Sequence, residues 1–328
     1  MKMNFPKIIL LLPVFLASCA PAAASRQGFS GYIDSPYIVP DGTAIYFLHS
    51  VASTYDMLTG NPNAKPVAEY FPNHQGQGGA YWYNTDLYRS QKNPNGTWGQ
   101  PQNLGPQINT ENLECCMWTD SAETVLLFVR SAGTGDTAVT IPYIARRDSR
   151  DEPWGTPQEL PGEFGLAANE FTDFHLTPAG NLYFWSPWNG NGTLFYAAST
   201  GTGEWGTAEN LTMFESQVDE SQPWVNADET ILFFNRRAPD GSTELWMAAR
   251  PTKESAWGAA EKVVLTGFEE PAGGLVWGEP SFDSSGAMYF VRFNVSLPGW
   301  DAELMKAERN ADGSYGPPQP LVFDLETP

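Results

Sequence analysis

The chain has 328 residues and a formal net charge of −20 at pH 7, with 38 acidic residues against 18 lysines and arginines. This acidity argues against binding to nucleic acid or to an anionic lipid surface. Charged residues make up only 17% of the chain, while Gly, Pro and aromatic residues are abundant. Such a composition favours an all-β protein with many turns over a helical one.

The N-terminal segment has the features of an export signal. Lys2 and Lys7 precede an apolar run from Ile8 to Leu16. A basic start, a short apolar core and small residues predict a signal peptide over residues 1–18, too short to span a bilayer permanently. The string Leu16-Ala-Ser-Cys19 resembles the lipobox of bacterial lipoproteins. That resemblance implies that Cys19 is acylated and becomes the first residue of the processed chain.

Residues 19–28 are mostly small and predict a flexible tether, which leaves residues 29–328 as a single domain. Position 20 is Ala rather than Asp, which by the same resemblance favours the outer membrane, facing the periplasm or the cell surface. Loss of Lys2 and Lys7 with the signal peptide would change the formal charge from −20 to −22. The lipid on Cys19 is therefore the expected link to a membrane.

An aromatic-glycine motif recurs five times at intervals of 51 to 58 residues, obtained by subtracting the positions of its aromatic residues. The aromatic residues are Trp98, Trp154, Trp205, Trp257 and Tyr315, and in every copy an aliphatic residue follows six positions later. Periods near 50 residues with several short strands per unit are typical of a β-propeller, in which each sheet buries its faces against its neighbours.

Each unit repeats the same order of predicted elements. A first strand and a turn precede a strongly apolar second strand, a third strand follows, and the aromatic-glycine segment supplies the fourth. The second strands are predicted at 44–48, 125–129, 182–185, 231–234 and 288–291. Units two and four have Glu123 and Glu229 where the turn of the other units has Gly. We predict a five-bladed β-propeller with four antiparallel strands per blade. Closure is expected without strand exchange between the termini, and the alternative is a swapped strand from residues 27–33.

Three strings carry a family resemblance: Tyr37-Ile-Val-Pro-Asp-Gly42, Asp86-Leu-Tyr-Arg-Ser90 and the segment 95–110. They resemble the WD-like propeller repeats of bacterial envelope proteins of the TolB type, and the resemblance covers about residues 30–324. It implies a lipid-anchored binding or scaffold protein of the cell envelope, whose ligand is a protein, a peptide or a glycan.

Acidic residues recur at the start of the predicted inner strands, which meet at one mouth of a propeller channel. The residues placed there are Asp34, Glu114, Cys115, Cys116, Glu170, Asp173, Asp219, Glu220, Trp277 and Glu279. One interpretation is structural, with the acids bonded to backbone amides of neighbouring blades. Another is a Ca²⁺ ion held by carboxylate and backbone oxygens in the channel, although no EF-hand-like loop supports it and the sequence otherwise predicts no cofactor. A third is catalysis, with Asp34, Glu114, Glu170 and Glu279 as candidates.

The catalytic interpretation depends on a second, weaker resemblance. Residues 33–39 are somewhat similar to the start of the five-bladed arabinanases and xylosidases, although Ser35 separates Asp34 from Pro36. The Gly-Glu-Pro string ending at Pro280 is faintly similar to the segment around their catalytic acid, but it falls in the fifth unit. This resemblance implies a glycoside hydrolase, for which carboxylate separations are decisive. No Ser-His-Asp order, phosphate-binding loop or zinc-spaced ligand set supports another chemistry.

The adjacent cysteines Cys115 and Cys116 have no counterpart in the other units. They are expected either to form a vicinal disulfide on which a ligand rests or to be buried free thiols. Together with Met117 and His175 they also offer soft ligands for Cu(I). The alternative for His175, which we favour, is a strand residue hydrogen-bonded inside the channel.

Two aromatic and glycine-rich segments interrupt the repeat. The first runs from about residue 51 to residue 83 and contains Trp82, and the second contains Trp188. Glycines beside aromatic rings suit loops that fold over a ligand such as a sugar. An equally good interpretation of the first segment is a surface loop whose aromatic residues cover blade 1.

Overall fold

The computed structural model describes most of the chain between residues 31 and 325. The described ranges are 31–59, 85–132, 139–160, 171–186, 192–201, 204–211, 218–239, 241–268, 275–294 and 300–325. Across these ranges no helix has the length and apolar character needed to cross a membrane. The predicted signal peptide and the tether lie outside the described residues.

Twenty strands form five antiparallel sheets of four, each built from strands consecutive in sequence. Blade 1 contains β1 (Tyr32–Ile38), β2 (Ala44–Ser50), β3 (Asp86–Gln91) and β4 (Gln102–Asn103). Blade 2 contains β5 (Glu114–Thr119), β6 (Val125–Ala132), β7 (Val139–Arg146) and β8 (Gln158–Glu159). Blade 3 contains β9 (Thr172–Leu176), β10 (Leu182–Ser186), β11 (Thr193–Ala197) and β12 (Glu209–Asn210). Blade 4 contains β13 (Glu220–Val225), β14 (Ile231–Arg237), β15 (Thr243–Ala249) and β16 (Glu261–Lys262). Blade 5 contains β17 (Leu275–Phe282), β18 (Met288–Asn294), β19 (Asp301–Ala307) and β20 (Gln319–Pro320), and one short helix, α1 (Thr54–Thr59), follows β2.

The second strand of each blade forms the main core. All seven residues of β2 are buried, and the equivalent strands bury Phe128, Phe184, Phe234 and Phe290 completely. Continuous apolar strands of this kind are stable only when both faces are covered, because each side of the strand removes aromatic surface from water. The core therefore lies between adjacent blades, as it must in a propeller.

The aromatic-glycine motif joins the third strand to the short outer strand. In blade 2, Trp154 is buried and the amide of Gly155 donates to the carbonyl of Arg146 at 2.9 Å. The outer strands contain only two residues each, so they present little unpaired backbone at the rim of the propeller.

Blades 5 and 1 meet where the propeller closes, and among the described residues no strand is exchanged between them. The Trp98 amide donates to the Val322 carbonyl at 2.8 Å, and the Asp324 amide donates to the Trp98 carbonyl at 2.7 Å. Nearer the axis, Ser281 Oγ donates to the carbonyl of Pro36 at 3.0 Å. The prediction of a five-bladed all-β propeller with four antiparallel strands per blade is confirmed.

Candidate functional site

A β-bulge occurs at the same place in every inner strand. In each blade the register between the first and second strands shifts within a few residues. At each shift one non-glycine residue adopts a left-handed backbone: Ser35 (φ 52°), Cys116 (φ 57°), Asp173 (φ 55°), Gln222 (φ 56°) and Glu279 (φ 54°). A left-handed backbone conformation costs a non-glycine residue about 1–3 kcal/mol of free energy, and it persists only where the surrounding structure imposes it. The inner strands therefore bend alike around the axis.

These bulges line a small cavity on the axis, which we call the channel cavity. Its volume is about 40 Å³, and its walls are the bulge residues together with the one or two residues that follow each of them. A cavity of this size holds a few water molecules, since one water needs at least roughly 10–15 Å³. Pockets for small-molecule ligands measure roughly 300–1,000 Å³. The channel cavity is therefore too small for a sugar ring.

Two of the predicted acids, Asp173 and Glu279, line the channel cavity, and Asp34 lies close to both of them, directly before the bulge residue Ser35. Each of the three carboxyl groups has a protein hydrogen-bond partner. Asp34 accepts hydrogen bonds from the Tyr32 hydroxyl and from the Ser35 amide, the latter at 2.8 Å. Glu279 Oε1 accepts from the Gln222 side chain at 2.8 Å, and the Glu279 amide donates back to Gln222 Oε1 at 3.1 Å. The acids from blades 1 and 5 are thus held in fixed positions by protein groups.

Depth in the propeller raises the pKa of all three carboxyl groups, because water no longer stabilises their charged forms. The pKa of Asp34 rises to about 7 through burial, partly offset by the hydrogen bonds from Tyr32 and Ser35. Burial likewise raises the pKa of Asp173 to about 6. The pKa of Glu279 is raised well above its ordinary value by burial and then by the charges of Asp34 and Asp173. Together, these three acids therefore carry less than their formal negative charge near neutral pH.

Cys115 and Cys116 border the same acids and are free thiols, without a disulfide. The pKa of Cys116 is raised by its hydrogen bond with Cys115, by burial and by the nearby acids Asp173 and Glu279. His175 is 7% exposed and its ring packs on Trp224, with ring centroids 5.4 Å apart. Burial lowers the pKa of His175 to about 3, so the imidazole is neutral at physiological pH.

Glu114 and Glu220 lie away from the channel cavity. Each pairs with the arginine directly opposite it on the second strand of its own blade: Glu114 with Arg130 at 2.8 Å and Glu220 with Arg236 at 2.6 Å. Thr110 adds two hydrogen bonds to Glu114, and burial still raises the pKa of this carboxyl to about 7. These two acids act within their blades rather than at the axis.

Several predicted site residues are not placed by the structure. Cys19, Trp82, Glu170 and Trp188 lie outside the described residues, and Trp277 is described only as backbone within β17. Within the described part of the chain, no group of three or more His, Cys, Asp or Glu side chains is arranged to hold a metal ion. The soft-ligand and Ca²⁺ interpretations therefore gain no support from these residues.

Sequence reasoning missed Ser35, Gln222 and Tyr32, which complete the surroundings of the acids. The signal for Ser35 and Gln222 was present, because each precedes a proline at the position that Glu279 occupies before Pro280. A search restricted to charged residues overlooks them, although position in the repeat, not charge, places a side chain on the axis.

No protein-family model matches the chain, and no curated protein matches it. Among solved structures the chain is similar to the xyloglucan PUL GH43B protein of Bacteroides ovatus, with 14% identity, a TM-score of 0.52, and coverage of 91% of this chain but 58% of that one. It is also similar to the RS223 β-xylosidase, with 12% identity, a TM-score of 0.51, and coverage of 89% and 96%. A TolB-like protein of Agrobacterium tumefaciens aligns at 12% identity with a TM-score of 0.47 over 89% and 81%. At such identities the similarity to the two glycoside hydrolases shows the propeller fold and no more.

Proposed function

We propose that the protein is a non-catalytic binding protein of the bacterial cell envelope, held at a membrane by a lipid on Cys19, whose ligand is a protein, a peptide or a glycan. One observation supports the proposal that the protein is not a catalyst. The cavity beside the acids at the axis, which Asp173 and Glu279 line, measures only about 40 Å³. A glycosidase needs its carboxylates in a pocket that admits a sugar ring, and an inverting one also needs room for a water.

The hydrogen bonds of the channel acids support the same conclusion. The carboxylate of Asp34 accepts hydrogen bonds from Tyr32 and Ser35. Glu279 and Gln222 each donate a hydrogen bond to the other. The bonds of Asp34 lie within blade 1, while the Gln222–Glu279 pair joins blades 4 and 5. Because a buried polar group costs free energy unless it is bonded, these contacts have a structural role.

Chain connectivity indicates which face would bind a ligand. The first strand of each blade begins, and the second ends, at one face of the propeller, so the longer connections join strands there. Trp82 belongs by sequence to the connection between β2 and β3, and Trp188 to that between β10 and β11. Loops on a rigid scaffold commonly carry recognition residues, and aromatic side chains supply much of the contact energy.

The test for catalysis compares the purified full-length protein in detergent with the variant Asp34→Asn/Asp173→Asn/Glu279→Gln. Both are incubated with arabinan, xylan and aryl glycosides, and released reducing ends are measured. We expect no turnover by either protein. Turnover by the wild type that the variant loses would refute the non-catalytic proposal. On a glycan array and on immobilised envelope proteins, we expect both proteins to bind the same ligand equally, because recognition uses the loops.

A second candidate, a glycoside hydrolase, is favoured by one observation. Three carboxyl groups from blades 1, 3 and 5 meet at the axis, and their raised pKa values suit a general acid. For this function the channel must open to admit a sugar. The same assay decides between the candidates, since a hydrolase loses turnover in Asp34→Asn while retaining affinity for the substrate.

The membrane anchor has its own test. Cells expressing the wild type or Cys19→Ala are labelled with radioactive palmitate, and the protein is immunoprecipitated after membrane fractionation. We expect label and membrane association in the wild type and neither in Cys19→Ala, because several acyl chains are needed for stable anchoring. Label in the Cys19→Ala protein would contradict acylation at this residue.

A further inference from the structure

A second and larger cavity lies between blades 1 and 2, outside the channel. Its volume is about 380 Å³, and we call it the arginine groove after three of its wall residues. The walls come from β3, from β4 with the residue that follows it, and from the hairpin between β7 and β8, and they include Arg89, Gln102, Arg147, Arg150, Asp151 and Trp154. It shares no residue with the channel cavity.

Positive charge exceeds negative charge at this groove, although the whole chain is strongly acidic. Three guanidinium groups surround one buried carboxylate, that of Glu123: Arg89 Nη2 lies 2.9 Å from Oε1, Arg147 Nη2 3.7 Å from Oε2, and Arg150 Nη1 3.8 Å from Oε1. Asp151 is the one acidic residue among the walls of the groove. One positive charge therefore remains after both acids are counted.

The equivalent junction between blades 3 and 4 shows that blade packing needs fewer cations. There Glu229 occupies the position of Glu123 and accepts hydrogen bonds from Thr177, Asn181 and Tyr183. Arg250 is the partner that forms an ion pair with Glu229 among the described residues, at 3.9 Å. Tyr196 stands where blade 1 has Arg89, since these residues pair with Tyr183 and Tyr46 respectively. The additional guanidinium groups of the arginine groove are not required to join two blades.

Two polar side chains at the walls remain accessible to a ligand. The amide of Gln102 is exposed at the groove and offers both donors and an acceptor, whereas the amide of Gln91 already donates to the carbonyl of Thr43 and accepts from Arg89. Arg150 is 42% exposed and is accessible to an incoming anion.

We propose that the arginine groove binds a small hydroxylated anion, namely a sugar-sized molecule that carries a carboxylate or a phosphate. The N–H donors of Arg89 and Arg147 already have protein acceptors, so the exposed guanidinium group of Arg150 is the one that offers paired donors to either anion. The amide of Gln102 complements hydroxyl groups. A volume of about 380 Å³ fits a ligand of this size. The site is independent of the proposed function, because it lies outside the channel cavity and requires neither the lipid anchor nor catalysis.

The test is calorimetric titration of the purified full-length protein with glucuronate, glucose 6-phosphate, neutral glucose and inorganic phosphate. Arg150→Ala is the test variant, and Lys253→Ala is the matched control, because Lys253 is exposed at the equivalent position of the blade 4 hairpin. Arg89→Tyr, which copies Tyr196 of blade 3, is a second test variant. Thermal unfolding of each variant confirms that it is folded.

We expect saturable binding of at least one hydroxylated anion and none of glucose. Binding by glucuronate alone would assign a carboxylate ligand, and binding by glucose 6-phosphate alone a phosphate ligand. Arg150→Ala should weaken that binding by about tenfold, while Lys253→Ala leaves it unchanged. The proposal is overturned if neither hydroxylated anion binds at millimolar concentration, if inorganic phosphate binds as tightly as glucose 6-phosphate, or if Lys253→Ala weakens binding as much as Arg150→Ala.

Discussion

The carboxylate of Glu123 in blade 2 accepts a hydrogen bond of 2.6 Å from the hydroxyl of Tyr46 in blade 1. Arg89 of blade 1 donates two further hydrogen bonds to the same carboxylate. The link repeats between blades 4 and 3, where Glu229 accepts from the hydroxyl of Tyr183 at 3.1 Å. Blades 1 and 2, and blades 3 and 4, are thus joined by the same contact. The similar spacing of the five units in the sequence gives no sign of this pairing.

This link forms at the expense of backbone strain. Glu123 and Glu229 have φ values of 57° and 54°, and both occupy the turn position that Gly42, Gly180 and Gly286 hold in the other blades. A left-handed conformation costs a non-glycine residue roughly 1–2 kcal/mol. The contacts between blades must therefore outweigh that strain.

We predict that Glu123→Ala lowers the free energy of unfolding by about 3–5 kcal/mol, because it leaves buried guanidinium charge without its partner. Glu123→Gly should be less harmful than Glu123→Ala by about 1 kcal/mol, because glycine relieves the strained φ. Urea denaturation followed by tryptophan fluorescence measures both. Glu254→Ala removes an exposed acid as the control. Equal stability of Glu123→Ala and Glu254→Ala would show that the link between blades contributes nothing.

The glycines of the aromatic-glycine motif differ in the space around them. A Cβ at Gly258 would lie 2.9 Å from the carbonyl oxygen of Ala249, whereas a Cβ at Gly206 would lie 3.7 Å from that of Ala198. The first distance requires the backbone to move and the second is ordinary contact. We predict that Gly258→Ala destabilises the protein by about 1–3 kcal/mol, while Gly206→Ala is neutral or slightly stabilising. Thermal unfolding of the two variants tests this, and a Gly206→Ala variant that is the less stable of the two would contradict it.

The fold was predictable because its signals are repeated and local. Five aromatic-glycine motifs and five apolar second strands count the blades, and the turn residues between first and second strands mark the hairpins. The sequence did not allow the same kind of prediction of which acids lie at the axis and which pair with an arginine of their own blade. The bulge shifts each inner strand by one residue, and a shift of one residue moves a side chain to the other face of a strand. Glu279 at the bulge therefore faces the axis, whereas Glu220, two residues before the bulge residue Gln222, pairs with Arg236. Composition carries no information about that shift.

Cys116 is expected to be a poor nucleophile in the folded protein. Its hydrogen bond with Cys115, its burial and the adjacent acids all raise the pKa of its thiol, and the thiolate is the reactive form. In the Cys115→Ser variant, we predict that alkylation of Cys116 by iodoacetamide at neutral pH is at least about tenfold slower in buffer than in urea. Peptide mass spectrometry separates Cys116 from Cys19. Equal rates in the two solvents would show that the thiol is accessible and ionised.

The stability of the protein is expected to depend on pH because folding raises the pKa of Asp34. The folded-state pKa of Asp34 is about 7, against an ordinary value of 3.8. Between these values the folded protein retains a proton that the unfolded chain releases. The stabilisation is therefore present below about pH 4, falls as the pH rises toward 7, and does not change further above the folded pKa. One proton corresponds to a slope of about 1.4 kcal/mol per pH unit.

Asp34→Asn retains the shape of the side chain and abolishes this titration. We expect its stability relative to the wild type to increase as the pH is raised through the window, measured by urea denaturation at several pH values. His175 acts in the opposite direction, since its lowered pKa makes the folded protein lose stability as the pH falls below about 6.5. The difference between the two proteins cancels that contribution and contains the titration of Asp34 together with its effect on the pKa values of its neighbours Asp173 and Glu279. The control, Asp312→Asn, removes an exposed acid whose pKa is lowered by hydrogen bonds from Ser314. Parallel stability curves for the wild type and Asp34→Asn would mean that Asp34 is ionised in the folded protein across this range.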